Sequence, residues 1–343
     1  MNKANALSIL NYGVIGAGIH GENHIKSVYS SGNAQLIAIA DKNEARKEEM
    51  TDKYSVQKSF LDYQELLEQD EIEAVSIVLP DHLHRQACED AFAFGKHVLV
   101  EKPLATNVED AEAILAAQKR AGKKLMVNFS NRWMHSFAQT KEALEKGELG
   151  NPMYCYGRLN NTLYVPTKML SWSFSTKLPF WLIGHRYDIA RWYFNSEAKR
   201  INAVCRSLVL KDMGINTPDF YQATVEFENG CVGNFESCWI LPESMPSVVD
   251  SKFELICTDG YVNIDAGLPD FVYATNNEFS TRNTLTGDVM GEPVGFVNQS
   301  IKHFINCVLL DEEPLITGYD GLMITKALDA MVKSAELGKP IDL

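Results

Sequence analysis

The chain has 343 residues, 45% hydrophobic and 22% charged, with 32 Lys+Arg against 45 Asp+Glu and a formal net charge of −13. That length suits about two globular domains, and the composition excludes disordered and collagen-like chains. A global polyanion gains nothing from nucleic acid or an anionic membrane surface, where Lys and Arg must neutralise phosphate charge, so neither is an expected partner.

Met1 to Asn11 lacks the basic, apolar and small-residue order of a secretory signal. The longest apolar runs, such as Val75 to Pro80, are strand-sized, far short of the ~18 residues of a membrane span. Seven cysteines, Cys88, Cys155, Cys205, Cys231, Cys238, Cys257 and Cys307, are odd in number and form no C-x-x-C pair. They read as reduced thiols of a cytoplasmic protein.

From Ser8 to about Asn128, short β-branched runs alternate with amphipathic stretches, the pattern of a parallel sheet with crossover helices. Strands are predicted at Ile9 to Ile15, Gln35 to Ala40, Ala74 to Leu79, His97 to Val100 and Leu125 to Val127. Helices are predicted near Gly21 to Ser31, Asn43 to Tyr54, Asp62 to Glu68, His82 to Phe94 and Val108 to Ala121, the last two closed by Gly95 and Gly122. The rhythm then changes. After a helix around Ser136 to Lys146 come alternating segments at Met153 to Leu159, Ile201 to Leu210, Tyr221 to Glu228, Val232 to Trp239, Lys252 to Cys257 and Tyr261 to Ile264. Tight turns such as Glu228-Asn229-Gly230 mark a largely antiparallel sheet. A helix from about Trp181 to Tyr193 interrupts that series, and helices near Val297 to Leu310 and Gly321 to Leu337 close the chain. The fold class is therefore α/β, with a doubly wound parallel sheet in residues 1–127 and an open, mostly antiparallel sheet with helices in residues 128–343.

Gly16, Gly18 and Gly21 form G-x-G-x-x-G around Ile19 and His20, between a predicted strand and a predicted helix. The first glycine permits a tight turn, the second admits a pyrophosphate, and the third allows close helix packing. The pyrophosphate would sit on the N–H groups that open the helix. The next strand ends in Asp41, 20 residues beyond Gly21. A carboxylate there accepts from ribose hydroxyls and repels a 2′-phosphate, which favours NAD over NADP. Lys42 beside it would partly offset that repulsion, so NADP is not excluded. Asp41 equally fits an N-cap for the helix that follows, and both readings stand.

Pro80, Asp81 and His84 end one strand and open a helix, and Glu101-Lys102-Pro103 directly follows another strand. In a doubly wound sheet, ligands bind at the carboxyl ends of strands, so both motifs face the dinucleotide crevice. With these pieces, the run Gly95 to Ala105, Gly184-His185 with Asp188 and Ala190-Arg191-Trp192, and the stretch Gly318 to Pro340, the chain resembles the glucose-fructose oxidoreductase and inositol dehydrogenase (Gfo/Idh/MocA) family. The resemblance implies a Rossmann domain followed by an α/β domain whose open sheet makes homodimer or homotetramer contacts. It also implies hydride transfer between nicotinamide and a carbinol of a sugar or cyclitol derivative. Lys102 would take the family's lysine role at the reacting oxygen, and the peptide before Pro103 is a candidate for the cis form. Cofactor contacts would come from Gly16, Gly18, Ile19, His20, Asp41, Lys42, Pro80, His84, Glu101 and Lys102.

Oxidising a secondary alcohol requires a base for the hydroxyl proton and a cation for the oxygen as hydride leaves. His185 is the natural base, since imidazole titrates near ~6.5, and Lys102 is the cation. The family commonly has an acid four positions before this histidine, where this chain has Trp181. Either His185 and Lys102 suffice, or another acid substitutes, or catalysis is lost and the chain is a dinucleotide-binding regulator or sensor. Asp188 could orient His185 or pair with Arg191. Residues 149–196 carry a net charge of +4 around aromatic residues, which would suit a phosphorylated or carboxylated sugar. The substrate candidates are Arg132, Arg158, Asn160, Tyr164, Lys168, Trp172, Trp181 and Asp188. No metal set is expected, because His82 and His84 point to different helix faces and nothing completes a zinc site.

Overall fold

A computed structural model describes residues 9–267, 271–277, 279–282 and 284–343. They divide into two compact units. The first holds the described residues up to Ser130 together with Thr286–Leu322, and the second holds Asn131–Leu285 and Met323–Leu343. Both units are thus discontinuous in sequence, whereas two consecutive segments were expected.

The first unit opens with β1 (Leu10–Ile15), α1 (Ile19–Tyr29), β2 (Ala34–Ala40), α2 (Glu44–Tyr54), β3 (Lys58–Phe60), α3 (Tyr63–Leu67), β4 (Ala74–Ile77), α4 (His84–Ala93), β5 (His97–Glu101), α5 (Val108–Ala121) and β6 (Leu125–Asn128). The sheet order is β3-β2-β1-β4-β5-β6, with every pairing parallel. Strand order therefore reverses between β1 and β4, which places a crevice at their carboxyl ends. The strands read as nearly unbroken apolar runs because helices cover both faces. Helix α5 has the predicted bounds: Asn107 caps it by accepting from the Asp110 N–H, and Gly122 ends it at φ +63°. The edge strand β3 was not predicted, for its three half-buried residues carry no apolar run.

The second unit has α6 (His135–Glu145), β7 (Pro152–Asn161), α7 (Gly184–Phe194), β8 (Ala198–Arg206), α8 (Val209–Asp212), β9 (Phe220–Phe227), β10 (Val232–Cys238), β11 (Val249–Cys257) and β12 (Tyr261–Asp265), then a hairpin of β13 (Phe271–Ala274) and β14 (Phe279–Arg282). Its main sheet is mixed but mostly antiparallel; β7 and β10 are its parallel neighbours. Helices α6 and α7 cover one face: Phe137 meets Phe253 edge-on at 5.7 Å, and Tyr187 stacks on Phe227 at 5.9 Å. Gly157 of β7 makes this approach possible, since a Cβ there would lie 2.9 Å from the Arg186 Cβ.

Two predicted elements end elsewhere. The strand expected over Ile201 to Leu210 stops at Arg206. The Asp219 carboxylate accepts the N–H groups of Leu208, Val209 and Leu210 at 2.7, 2.9 and 2.9 Å and winds them into α8. Helix α7 begins at Gly184 rather than Trp181, because Pro179–Ile183 form a wider π turn that feeds into it.

The chain re-enters the first unit with β15 (Thr286–Val289), β16 (Glu292–Gly295) and α9 (Phe296–Leu310); α10 (Gly318–Leu337) is divided between the units after Leu322, and β17 (Ile341–Asp342) pairs with β8 in the second. Phe304 of α9 meets Tyr12 of β1 edge-on at 6.4 Å. At Gly321 a Cβ would lie 2.7 Å from Val127 Cγ2, so glycine lets the first turn of α10 lie against β6. Among the described residues no helix is long and apolar enough to cross a membrane, and all seven cysteines are free thiols.

Helix α2 is clasped to α1 through Glu22, which binds Lys53 Nζ at 2.6 Å and Arg46 Nη2 at 2.5 Å. Arg46 Nε also donates to the Ala17 carbonyl in the glycine turn at 2.7 Å. The Lys53 hydrogen bond, opposed by burial and joined by Arg46, holds the Glu22 carboxyl at about 2, below its ordinary 4.5. A depressed carboxyl stabilises the fold above the unfolded value and loses that contribution as pH falls through the folded one. Glu22→Gln is therefore expected to lower the urea midpoint at pH 7, and the gap from the parent should narrow as pH falls from about 4.5 towards 2.

Candidate active site

At the turn after β1, packing dictates two of the three glycines. Gly16 has φ +94°, and a Cβ there would lie 2.2 Å from the Val78 carbonyl oxygen. At Gly21 a Cβ would lie 2.0 Å from the Gly16 oxygen. Gly18 differs, for a Cβ there meets nothing within 4 Å. The open position is the one that lets a pyrophosphate approach the N-terminus of α1, so the residues present fit a dinucleotide. Ile19 and His20 are exposed beside it. Asp41 directly follows β2, with Oδ2 accepting the Ala17 N–H at 2.7 Å and Oδ1 accepting the Asn43 N–H at 2.8 Å. Asn43, not Asp41, is the N-cap of α2. The half-exposed Asp41 carboxylate braces the turn and keeps lone pairs for ribose hydroxyls. Lys42 is exposed next to it.

Behind that turn lies a buried polar network. Glu101, 7% exposed, ends β5. Its Oε1 lies 3.0 Å from His20 Nε2 and 3.0 Å from His24 Nε2, and it accepts from Asn128 Nδ2 at 2.6 Å. Its Oε2 accepts the Lys102 N–H at 3.2 Å. The fully buried His24 has Nδ1 2.9 Å from Ser76 Oγ, which lies 2.9 Å from the Tyr12 hydroxyl. Asn128 Oδ1 accepts from Ser300 of α9 at 2.8 Å. Burial alone would raise the Glu101 carboxyl, but His20 and His24 hold it well below the ordinary carboxylate range. Partial desolvation on its inner side opposes charge on His20, yet the Glu101 carboxylate outweighs it and raises that imidazole. Burial pushes His24 down.

Lys102 follows directly. Burial pushes its ammonium below the ordinary value, against the pull of the Glu101 and Asp81 carboxylates. The Lys102–Pro103 peptide is cis. His84 is fully buried, with Nδ1 2.8 Å from the Pro103 carbonyl and Nε2 2.9 Å from the Leu79 carbonyl. Both ring nitrogens are thus taken up within the protein, so His84 ties the Pro80 turn to the Lys102 turn. Glu101 is committed to internal partners in the same way.

In the second unit, His185 lies in the first turn of α7. Trp181 in the preceding π turn donates its indole N–H to Asn161 Oδ1 at 3.1 Å and meets Trp172 edge-on at 5.7 Å. Asp188 is fully buried and bound by Arg132 through Nε at 3.0 Å and Nη2 at 2.6 Å. The Arg132 guanidinium also lies 5.2 Å from the Trp192 ring, while Arg191 pairs with Glu197. Arg158 and Asn160 alternate with Gly157 and Asn161 along β7 and so occupy the face opposite α7. There Arg158 Nε lies 2.9 Å from Asp250 Oδ2, and Asn160 donates to the same oxygen at 3.3 Å. Tyr164 is exposed, and Lys168 Nζ lies 2.7 Å from Glu243. Lys177 pairs with Glu336, and Arg186 is buried with Nη2 donating to Ser251 at 2.6 Å. The +4 count over residues 149–196 is therefore largely offset by acids from outside that segment.

Sequence reading missed His24, Ser76, Asn128 and Ser300. A serine inside the apolar run Ala74–Ile77 and a histidine one helical turn after His20 were the available signals. The partners lie far apart in the chain, so no local spacing joins them.

Family models match most of the chain: "Oxidoreductase family, NAD-binding Rossmann fold" over residues 10–129, and "Oxidoreductase family, C-terminal alpha/beta domain" over residues 141–343. The chain is 26% identical to a myo-inositol 2-dehydrogenase of Thermotoga maritima, covering 96% of this chain and 98% of that one. It is also 26% identical to a scyllo-inositol 2-dehydrogenase (NAD(+)) of Bacillus subtilis, covering 96% and 95%. Its fold matches the solved scyllo-inositol dehydrogenase of Lactobacillus casei with bound NAD(H) and scyllo-inositol, with a TM-score of 0.83, 20% identity, and 98% and 99% of the two chains covered.

Breaking a buried ion pair leaves one charge uncompensated and costs about 3–5 kcal/mol. Arg132→Met is expected to destabilise the protein by about that much in urea unfolding. Arg132→Met with Asp188→Leu should recover part of the loss, a coupling that a double-mutant cycle measures.

Proposed function

Because the chain belongs to the Gfo/Idh/MocA oxidoreductase family, we propose that it transfers hydride between NAD and a secondary alcohol or ketone of a sugar or cyclitol. The open Gly18 position, braced by the Asp41 carboxylate behind the turn, carries this reading. Two relatives named as inositol 2-dehydrogenases support the substrate class. Asp41 favours NAD, and Lys42 leaves room for NADP.

When bound, nicotinamide supplies the hydride acceptor or donor. Lys102 directs its ammonium at the reacting oxygen and stabilises the charge that grows there as hydride leaves. His185 takes the hydroxyl proton in oxidation and returns it in reduction. The Trp181 indole is neutral and donor-only, so it offers the substrate an apolar wall where relatives commonly place an acid. Trp172 and Tyr164 extend that wall, and Arg132 and Asp188 hold α7 from below. Arg158, Asn160 and Lys168, which are bound to acids, are not needed for this reading. Neutral polyols are the favoured substrates, since the basic residues of the 149–196 segment have their own partners. The exposed face of the seven-stranded sheet is the surface on which we place a homodimer or homotetramer.

One observation favours a second reading, a dinucleotide-binding sensor: Trp181 in place of the acid. Lys102→Met separates the two. NADH binding followed by fluorescence should persist while kcat/KM falls by about 10²–10³; turnover equal to the parent would remove Lys102 from the mechanism, and absence of turnover in the parent would favour the sensor. In a screen at 340 nm, neutral sugars and cyclitols are expected to turn over at least as fast as their phosphates and uronates. Faster turnover of the anionic set would reinstate an anion pocket.

A further inference from the structure

The spacing of His20 and His24 puts both imidazoles on one face of α1, and β5 brings Glu101 against them. One ligand atom from each of the three residues lies within 4.8 Å of the others. We propose that His20, His24 and Glu101 form a binding site for one transition-metal dication of the zinc class, with the partly exposed His20 as its solvent-facing ligand.

Two imidazoles and one carboxylate make up a set that zinc takes in sites with an open fourth position. Tetrahedral bonds of ~2.0–2.1 Å separate ligand atoms by about 3.3 Å. The Nε2 atoms of His20 and His24 are each 3.0 Å from Glu101 Oε1, close to that separation, and all three ligand atoms lie within 4.8 Å of one another, so side-chain adjustment alone would close the set around an ion. The supporting partners are already in place. On metal binding the His24 proton moves from Nε2, where it faces Glu101, to Nδ1, which then donates to Ser76 Oγ 2.9 Å away and leaves Nε2 bare for the ion. Asn128 Nδ2 and the Lys102 N–H fix the Glu101 carboxylate. Such outer-shell partners set ring orientation and metal affinity. A single carboxylate among nitrogen ligands excludes the hard cations Mg2+ and Ca2+, which take six or more oxygens.

An ion here would neutralise the Glu101 carboxylate whose pull sustains the Lys102 ammonium, so on the role proposed for Lys102 its binding would oppose turnover rather than support it. No local spacing joins this set, because Glu101 lies 81 residues from His20.

The test is a titration of metal-free full-length chain with Co2+. Visible absorption of a four-coordinate ion should saturate at one equivalent, be displaced by Zn2+, and be indifferent to excess Mg2+. His20→Ala removes an exposed ligand, and circular dichroism checks its fold; it should weaken Co2+ binding by about 100-fold or more. Equal binding by His20→Ala, a thiolate-to-cobalt band placing the ion on cysteine, or no binding by the parent would overturn the proposal.

Discussion

A buried carboxylate is expensive unless several donors meet it, and Glu101 is met by four: His20, His24, Asn128 and the Lys102 N–H. Two of these donors have anchors of their own. His24 is held through Ser76 and Tyr12, and Asn128 through Ser300. One charge thereby fastens the helix after the glycine turn, the strands β1, β4, β5 and β6, and the returning helix α9. That same charge faces Lys102 and counters the effect of burial on its ammonium. The dinucleotide turn and the proposed catalytic cation are parts of one electrostatic arrangement, and neither can be altered without affecting the other.

The second unit follows a similar logic with different residues. Arg132 and Asp188 pair where water is excluded and hold α7 through its middle, leaving the first turn with His185 at the end that meets the π turn. The indole of Trp181 is fixed by Asn161 rather than left to swing. In the proposed reading, exchanging a carboxylate for a fixed indole changes what the substrate wall would recognise: an indole would not share a proton with a substrate hydroxyl but would lie against the C–H face of a ring. Selectivity within the family would then depend on shape at this position more than on charge.

Period, turn glycines and motif position were legible in the sequence. They located the doubly wound sheet, both ends of α5, the glycine turn with Asp41, and Lys102 at a strand end. What was not legible depended on partners distant in the chain. The return of residues 286–322 to the first unit depends on Phe304 meeting Tyr12 and on Gly321 meeting Val127, contacts that no local pattern encodes. The charge count over residues 149–196 leaves out the pairing partners for the same reason, since Asp250, Glu243 and Glu336 lie outside the window. His84 was recognised by position, but its task of joining two carbonyls was visible only in three dimensions.

The central claim is that Glu101 tunes Lys102 for the reaction. The most direct measurement is the pH profile of kcat/KM for Glu101→Gln against the parent, on a neutral cyclitol or sugar that the parent turns over. Removing the negative charge withdraws the pull that sustains the Lys102 ammonium, so the alkaline limb should move to lower pH while the protein remains folded. An alkaline limb that stays in place in a folded Glu101→Gln protein would contradict the account.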